Sequence, residues 1–255
     1  MASNILRIVL IVVLIVLFGI LGVLIGYELP TLGFITGPLS CIDGSGKSYS
    51  ETRDVDTFHS VELNGWGNLH VTQNGESHIR IEGEDNIVPL IKTYVKNDIL
   101  IIEQEEFKCI RPKEPLNVYV SMDEVKELLL IGSGNVIGQS RIESDSLWIT
   151  LSGSGNINLD VDVEELGTTI IGSGNVQLKG DAAVHEFTIS GSGDIKSYEL
   201  STEKSKIEVS GSGNSEVSVS DELNVKISGS GDVYYKGDPS IEQVISGSGK
   251  LKKVE

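Results

Sequence analysis

The chain has 255 residues, 39% of them apolar, and a formal net charge of -17 from 37 acidic and 20 basic side chains. That apolar share supports a packed core and excludes a disordered chain, while the acidity excludes a surface built to hold nucleic-acid phosphates. Two cysteines, with no histidine at ligand spacing, exclude a zinc site of ordinary composition.

The first element is membrane-like. Arg7 is the only charged side chain before Glu28, and residues 8–25 form 18 consecutive apolar positions. A helix continued through Gly26 and Tyr27 would be about 30 Å long, enough to cross a bilayer. Residues 1–27 are therefore expected to be an N-terminal transmembrane helix. The charge bias keeps the N-terminus inside, making a single-pass protein of the cell membrane with its C-terminal domain extracytoplasmic. A cleaved signal peptide is the competing reading, but the stretch exceeds a usual h-region and no A-x-A site follows. Gly22 and Gly26 make a G-x-x-x-G, a pairing motif that is also common in membrane helices generally.

Residues 28–48, with Pro30, Pro38 and four glycines, read as a linker. At its end "CIDGSGKS" (41–48) resembles the last part of a phosphate-binding loop. That motif needs a glycine where Cys41 stands, a buried strand before it and a helix after it. "GPLS" and "YSETRDVDTF" supply neither, so nucleotide binding is not expected and the segment reads as an outlying copy of the Gly-Ser-Gly repeat described below. Cys41 and Cys109 both fall on the outer side. A bridge between them would stabilise by roughly 4 kcal/mol in the chain-entropy model; two free thiols are the equal alternative, because sequence does not show proximity.

Residues 49–121 are strand-rich but irregular. "FHSVELNGWGNLHVTQ" alternates around Gly65-Trp66-Gly67-Asn68, where coiling is expected to begin. "HIRIEG", "KNDILIIEQ" and "LNVYVS" read as further strands, and "EDNIVPLIKTYV" as the place for a short helical turn.

From residue 122 a regular pattern takes over. Gly-Ser-Gly recurs with first glycines at 132, 153, 172, 191, 211, 229 and 247, a period near 19 residues. Repeats at this period signal stacked architectures. In "LWITLSGSGNINLDVDV" (147–163) the odd positions are apolar or glycine and the even ones, Trp148 excepted, polar, the alternation of extended chain with one buried face. Glycine inside such a pattern marks a bend, or a backbone approach too close for a Cβ.

Aligned on the glycines, the copies form columns. Two residues before the first Gly stand Leu130, Leu151, Ile170, Ile189, Val209, Ile227 and Ile245. Four residues after it stand Val136, Ile157, Val176, Ile195, Ser215, Val233 and Leu251. An Asn/Asp column runs Asn135, Asn156, Asn175, Asp194, Asn214 and Asp232, where stacked amides would bond along a ladder. The expected fold is all-β: a single-domain parallel β-helix (β-solenoid) over 49–255 with coils of about 19 residues, 49–121 forming irregular first coils and 122–255 the regular ones. Lys250, Lys252 and Lys253 are expected to guard the open end of the stack.

The run from "VDTFHSVELNGWGNLHVTQ" through "DNIVPLIKTYVKNDILIIEQ" to the "SGSGNI" and "SGSGDV" coils resembles the head GIN domain family, described as auto-transporter adhesins. The resemblance covers about residues 44–255 and implies a parallel β-helix on the cell surface. An auto-transporter would carry a C-terminal membrane barrel; here the N-terminal helix is the expected attachment.

Chemistry is sparse. Asp160, Asp162, Asp181 and Glu199 do not recur in one column and read as solvated acids. His59, His70, His78 and His185 have no ligand spacing, and each motif serine lies in G-S-G, not G-x-S-x-G. A β-helix enzyme would need converging carboxylates with a base or metal. No catalytic, cofactor-binding or metal-binding residue is assigned, no cofactor is expected, and no calcium-roll spacing is present. The expectation is a non-enzymatic surface module for binding, adhesion or structure, held to the membrane by its helix and facing an unidentified glycan or protein. A self-assembling solenoid scaffold and a polysaccharide-acting enzyme are the alternatives.

Overall fold

The computed structural model describes residues 41–105 and 109–255. The expected membrane helix and residues 28–40 of the expected linker lie outside them; among the described residues no helix is long and apolar enough to cross a membrane. The first strands are β1 Ile42–Asp43, β2 Ser48–Arg53, β3 Ser60–Gly65, β4 Asn68–Gln73, β5 His78–Glu84, β6 Ile91–Lys96, β7 Ile99–Gln104, β8 Ile110–Arg111, β9 Asn117–Met122, β10 Glu127–Gly132 and β11 Asn135–Gly138. Longer ones follow: β12 Ile142–Gly153, β13 Asn156–Gly172, β14 Asn175–Gly191, β15 Asp194–Gly211 and β16 Ser215–Gly229. The chain closes with β17 Val233–Lys236, β18 Ser240–Gly247 and β19 Leu251–Lys253.

From β10 onward each coil pairs in parallel with the next, and the corners are in register: Gly132 lies opposite Gly153, then Gly172, Gly191, Gly211, Gly229 and Gly247. This is the expected β-solenoid. Its first corner glycine has φ between +122 and +141 in every copy, backbone that L side chains rarely adopt. A Cβ on it, or on the second glycine, would also run into the carbonyl oxygen of the equivalent glycine one coil earlier. Each motif serine donates its backbone N–H to the preceding coil's first glycine, as Ser192 does to Gly172 at 2.8 Å. Close coil contact is thus the reason for both glycines.

The apolar columns form the core. Leu130, Leu151, Ile170, Ile189, Val209 and Ile227 are all buried, as are Val136, Ile157, Val176, Ile195 and Val233. The amide ladder also forms, each Asn Nδ2 donating to the next Oδ1: Asn175 to Asn156, Asn156 to Asn135, Asn135 to Asn68 and Asn68 to Asn117, at 2.9–3.1 Å. Gly65 takes the corner position opposite Gly132, so coiling does begin at residue 60, with Trp66 in place of the serine.

Three features depart from the sequence reading. First, coil order is not chain order: β3 and β4 lie between β10–β11 on one side and β7–β9 on the other. Second, the irregular end is not purely parallel, since β6 runs antiparallel to β7, and β5 antiparallel to both β9 and β2. β6 thereby covers the edge of β7 and β5 that of β9, with β2 paired in turn to β5. A 3-10 turn, Val88–Leu90, sits in the segment expected to hold one.

Third, Cys41–Ser48 is packed against the body and is not a coil corner. Cys41 and Cys109 form a disulfide, β1 pairs with β8, and the Gly44–Lys47 turn closes over Glu84. Glu84 is buried at 1% exposure. Its carboxylate accepts the backbone N–H of Gly46 at 2.6 Å and of Lys113 at 2.9 Å. Burial pushes this carboxyl up, but the N–H groups of Gly46, Lys113 and Glu114, with the Lys113 charge, outweigh it and hold the group below its usual range. Within the segment that resembles a phosphate loop, the Gly46 amide is turned on the chain's own Glu84 carboxylate and the Ser45 amide on Asn86 Oδ1. A Cβ on Gly44 would occupy the place of that carboxylate.

Candidate functional site

Two surfaces follow from the coil register. The first lies on the outward side of β10 and β12–β14. Outward positions one, three and five residues before the first glycine stack into three columns. The nearest holds Ile131, Ser152, Ile171 and Ser190; the middle one Leu129, Thr150, Thr169 and Thr188; the outer one Glu127, Trp148, Gly167 and Glu186. Between Glu127 and Glu186 these three columns carry no charge, and Glu165, exposed two residues before Gly167, marks their border. Further along it becomes charged, with Lys206 paired to Glu186 and Lys226 to Glu208, both at 3.6 Å.

Trp148 anchors the uncharged patch. Its indole lies over the Cα of Gly167, filling the space a side chain there would need, and remains 48% exposed. Ile131 and Ile171 stand 42% and 52% exposed on the same face, four residues further along their strands. The threonines repeat at the coil spacing of about 4.8 Å, giving a regular row of hydroxyls. An aromatic plane next to evenly spaced hydroxyls on a rigid sheet offers stacking and hydrogen bonding without charge. At the rim, burial and the neighbouring Glu62 raise the Glu127 carboxyl.

The second surface is a groove of about 960 Å³ along another corner, lined by Glu143, Asp145, Asp162, Glu164, Asp181 and Glu203 among small residues. Here the sequence reading needs correction: Asp162 and Asp181 do share a column, as Cα partners on adjacent coils. Both lie nine residues after their first glycine, a spacing visible in the sequence. Arg141 reaches across them, 3.2 Å from Asp160, 3.4 Å from Asp162 and 2.8 Å from Asp181. The hydrogen bond that Arg141 donates to Asp181, with the charges of the three acids, raises the guanidinium further. These acids neutralise an arginine; Glu199 stands apart from them, exposed beside Lys179 in the register. No group of three or more His, Cys, Asp or Glu side chains suited to a metal occurs among the described residues.

The histidines are separate. His59 contacts Asp98 at 2.8 Å, His70 stacks on Tyr119 at 4.6 Å, and His78 is exposed on β5. His185 is buried in the core column between Leu166 and Ser205, its Nε2 3.1 Å from Thr168 Oγ1 and its Nδ1 unpartnered. Burial pushes it down to about 3.

The fold has relatives of known structure. A crystal structure described as a putative adhesin from Bacteroides fragilis is 25% identical, with TM-score 0.81, covering 84% of this chain and all of that one. A putative lipid binding protein from Parabacteroides distasonis is 24% identical with TM-score 0.72, covering 85% of this chain and all of that one. A putative adhesin from Parabacteroides merdae is 21% identical with TM-score 0.68, covering 84% of this chain and 99% of that one. No curated protein matches the chain. The family model described as "putative auto-transporter adhesin, head GIN domain" matches residues 57–239, and the chain belongs to that family.

Proposed function

We propose that this protein is a non-enzymatic, membrane-anchored, extracytoplasmic β-solenoid that adheres to a neutral glycan through the Trp148 patch. The observation that carries this reading is the uncharged Trp–Thr–Ile face on a chain of net charge -17. Such a body repels polyanions and leaves this area as the place where an uncharged, hydroxyl-rich ligand meets no electrostatic penalty. The indole would stack on the C–H face of a sugar ring while Thr150, Thr169 and Thr188 meet its hydroxyls. The Cys41–Cys109 bridge supports an oxidising, extracytoplasmic location, and the apolar stretch at 8–25 supports the anchor.

The test is a binding screen of the full-length protein in lipid vesicles against neutral and acidic glycans. Binding to a neutral glycan should weaken about tenfold, roughly 1.4 kcal/mol, in Trp148→Ala, and also fall in Ile171→Glu. Binding that neither substitution changes, or a preference for acidic chains, would overturn the proposal. So would polysaccharide cleavage that one Asp or Glu substitution abolishes.

A further inference from the structure

The two ends of the stack are finished differently. At the β7–β9 end, β5 and β6 occupy the backbone edges. At the other end β18 pairs with β16 on one side, and no described residue pairs with its far edge. Every residue of β18 is exposed. Ile241 and Ile245 continue the columns of Leu223 and Ile227, which are fully buried, yet they stand 42% and 39% exposed, beside Val244 at 63%. The core therefore opens to solvent at this coil. The lysines expected to guard it are partly drawn back, Lys252 into an ion pair with Asp232 and Lys253 into one with Asp238.

The strand itself indicates what covers it. Residues 240–246 read Ser-Ile-Glu-Gln-Val-Ile-Ser, the same in both directions except for the exchange of Glu242 and Val244. A palindromic strand is complementary to its own copy run antiparallel. With Gln243 on the two-fold axis, Ser240 meets Ser246 of the second copy, Ile241 meets Ile245, and Glu242 meets Val244. No like charges face one another, and the isoleucines that end the core columns cover each other. Charge favours the same place: residues 238–255 hold three acids and three lysines, a neutral end on a body of net charge -17.

We propose that β18 is a self-pairing edge, joining two copies of this chain coil end to coil end as an antiparallel pair centred on Gln243. The contact is isologous, the same strand meeting its own copy across a two-fold axis, so it closes as a dimer and does not propagate into a filament. The Cys41–Cys109 bridge lies on the β7–β9 side of each body, so the two bridges fall at opposite ends of the dimer.

The test is oxidative cross-linking of the full-length protein in lipid vesicles, read on non-reducing gels. Directly opposed residues of an antiparallel pair lie about 4.5–5.5 Å apart at Cα, within disulfide reach. Gln243→Cys should cross-link to itself. Ile241→Cys and Ile245→Cys should cross-link when mixed and not alone. Ser228→Cys, exposed one coil inward, should stay monomeric, and adding Ile245→Lys to Gln243→Cys should abolish the dimer band. These positions are exposed, so folding is not at stake. A monomeric Gln243→Cys protein, equal cross-linking by Ser228→Cys, or a band that survives Ile245→Lys would each overturn the proposal and leave the glycan test unaffected.

Discussion

The regular coils and the irregular first part solve the same problem by different means. In 142–247 each coil follows the last nearly in register, so backbone and core columns are satisfied by a translated copy. In 41–122 the chain must also end the stack, and it does so with antiparallel strands, a disulfide and a carboxylate buried under backbone amides. Repetition yields a flat, extended face suited to binding; termination needs individual contacts that no column predicts. The two regions should therefore fail differently when perturbed.

The largest expected effect is at a corner. Gly191→Ala combines φ +135 with a collision against the Gly172 carbonyl, and should cost about 4 kcal/mol or abolish folding, as read by chemical denaturation. Gly75→Ala, at φ +86 with open space around it, should cost only about 1 kcal/mol. Equal losses at both sites would break the contrast.

Next is the cap. Cys41→Ser with Cys109→Ser opens a bridge spanning 68 residues, and should destabilise by roughly 2–4 kcal/mol. Hydrogen exchange should rise in 41–122 before it rises in β13–β15, because the regular coils do not depend on the bridge.

A smaller effect depends on pH. His185 is neutral in the folded state, with its pKa near 3, whereas the unfolded chain takes up a proton near 6.5. Its stabilising contribution is complete above pH 6.5 and declines as the pH falls toward 3. The loss approaches 1.4 kcal/mol per unit, or about 2 kcal/mol at pH 5. His185→Leu, which continues its Leu166 neighbour, should remove that part of the acid sensitivity in urea titrations at pH 7 and pH 5.

The smallest is a gain. Ser215 lies in the Val/Ile column with its hydroxyl buried and unpartnered, so Ser215→Val should stabilise by about 1 kcal/mol, visible as a raised thermal midpoint.

The regular coils were legible because the glycine corner fixes a reference point and every column follows by counting. The same counting locates Trp148, Thr150, Thr169 and Thr188 on one face, and Asp162 beside Asp181. The outward columns emerge from the sequence only when the polar positions are aligned on the same glycines, because no apolar period marks them. The coil order around β3 and β4, the antiparallel strands and the Glu84 cradle were not legible. They depend on contacts across tens of residues, without a period to align them, and Cys41 and Cys109 gave no sign of their proximity.

The register of the coils can be measured directly by paired cysteines on the outer face. Ser190 and Ser210 are Cα partners on adjacent coils, and Ser228 is the partner of Ser210 one coil further. Adjacent strands lie about 4.8 Å apart, within disulfide range, and next-but-one strands about twice that. Ser190→Cys with Ser210→Cys should form an intramolecular bridge readily, and Ser190→Cys with Ser228→Cys should not. Equal bridging in the two proteins, or none in the first, would contradict the stack of coils on which the binding face depends.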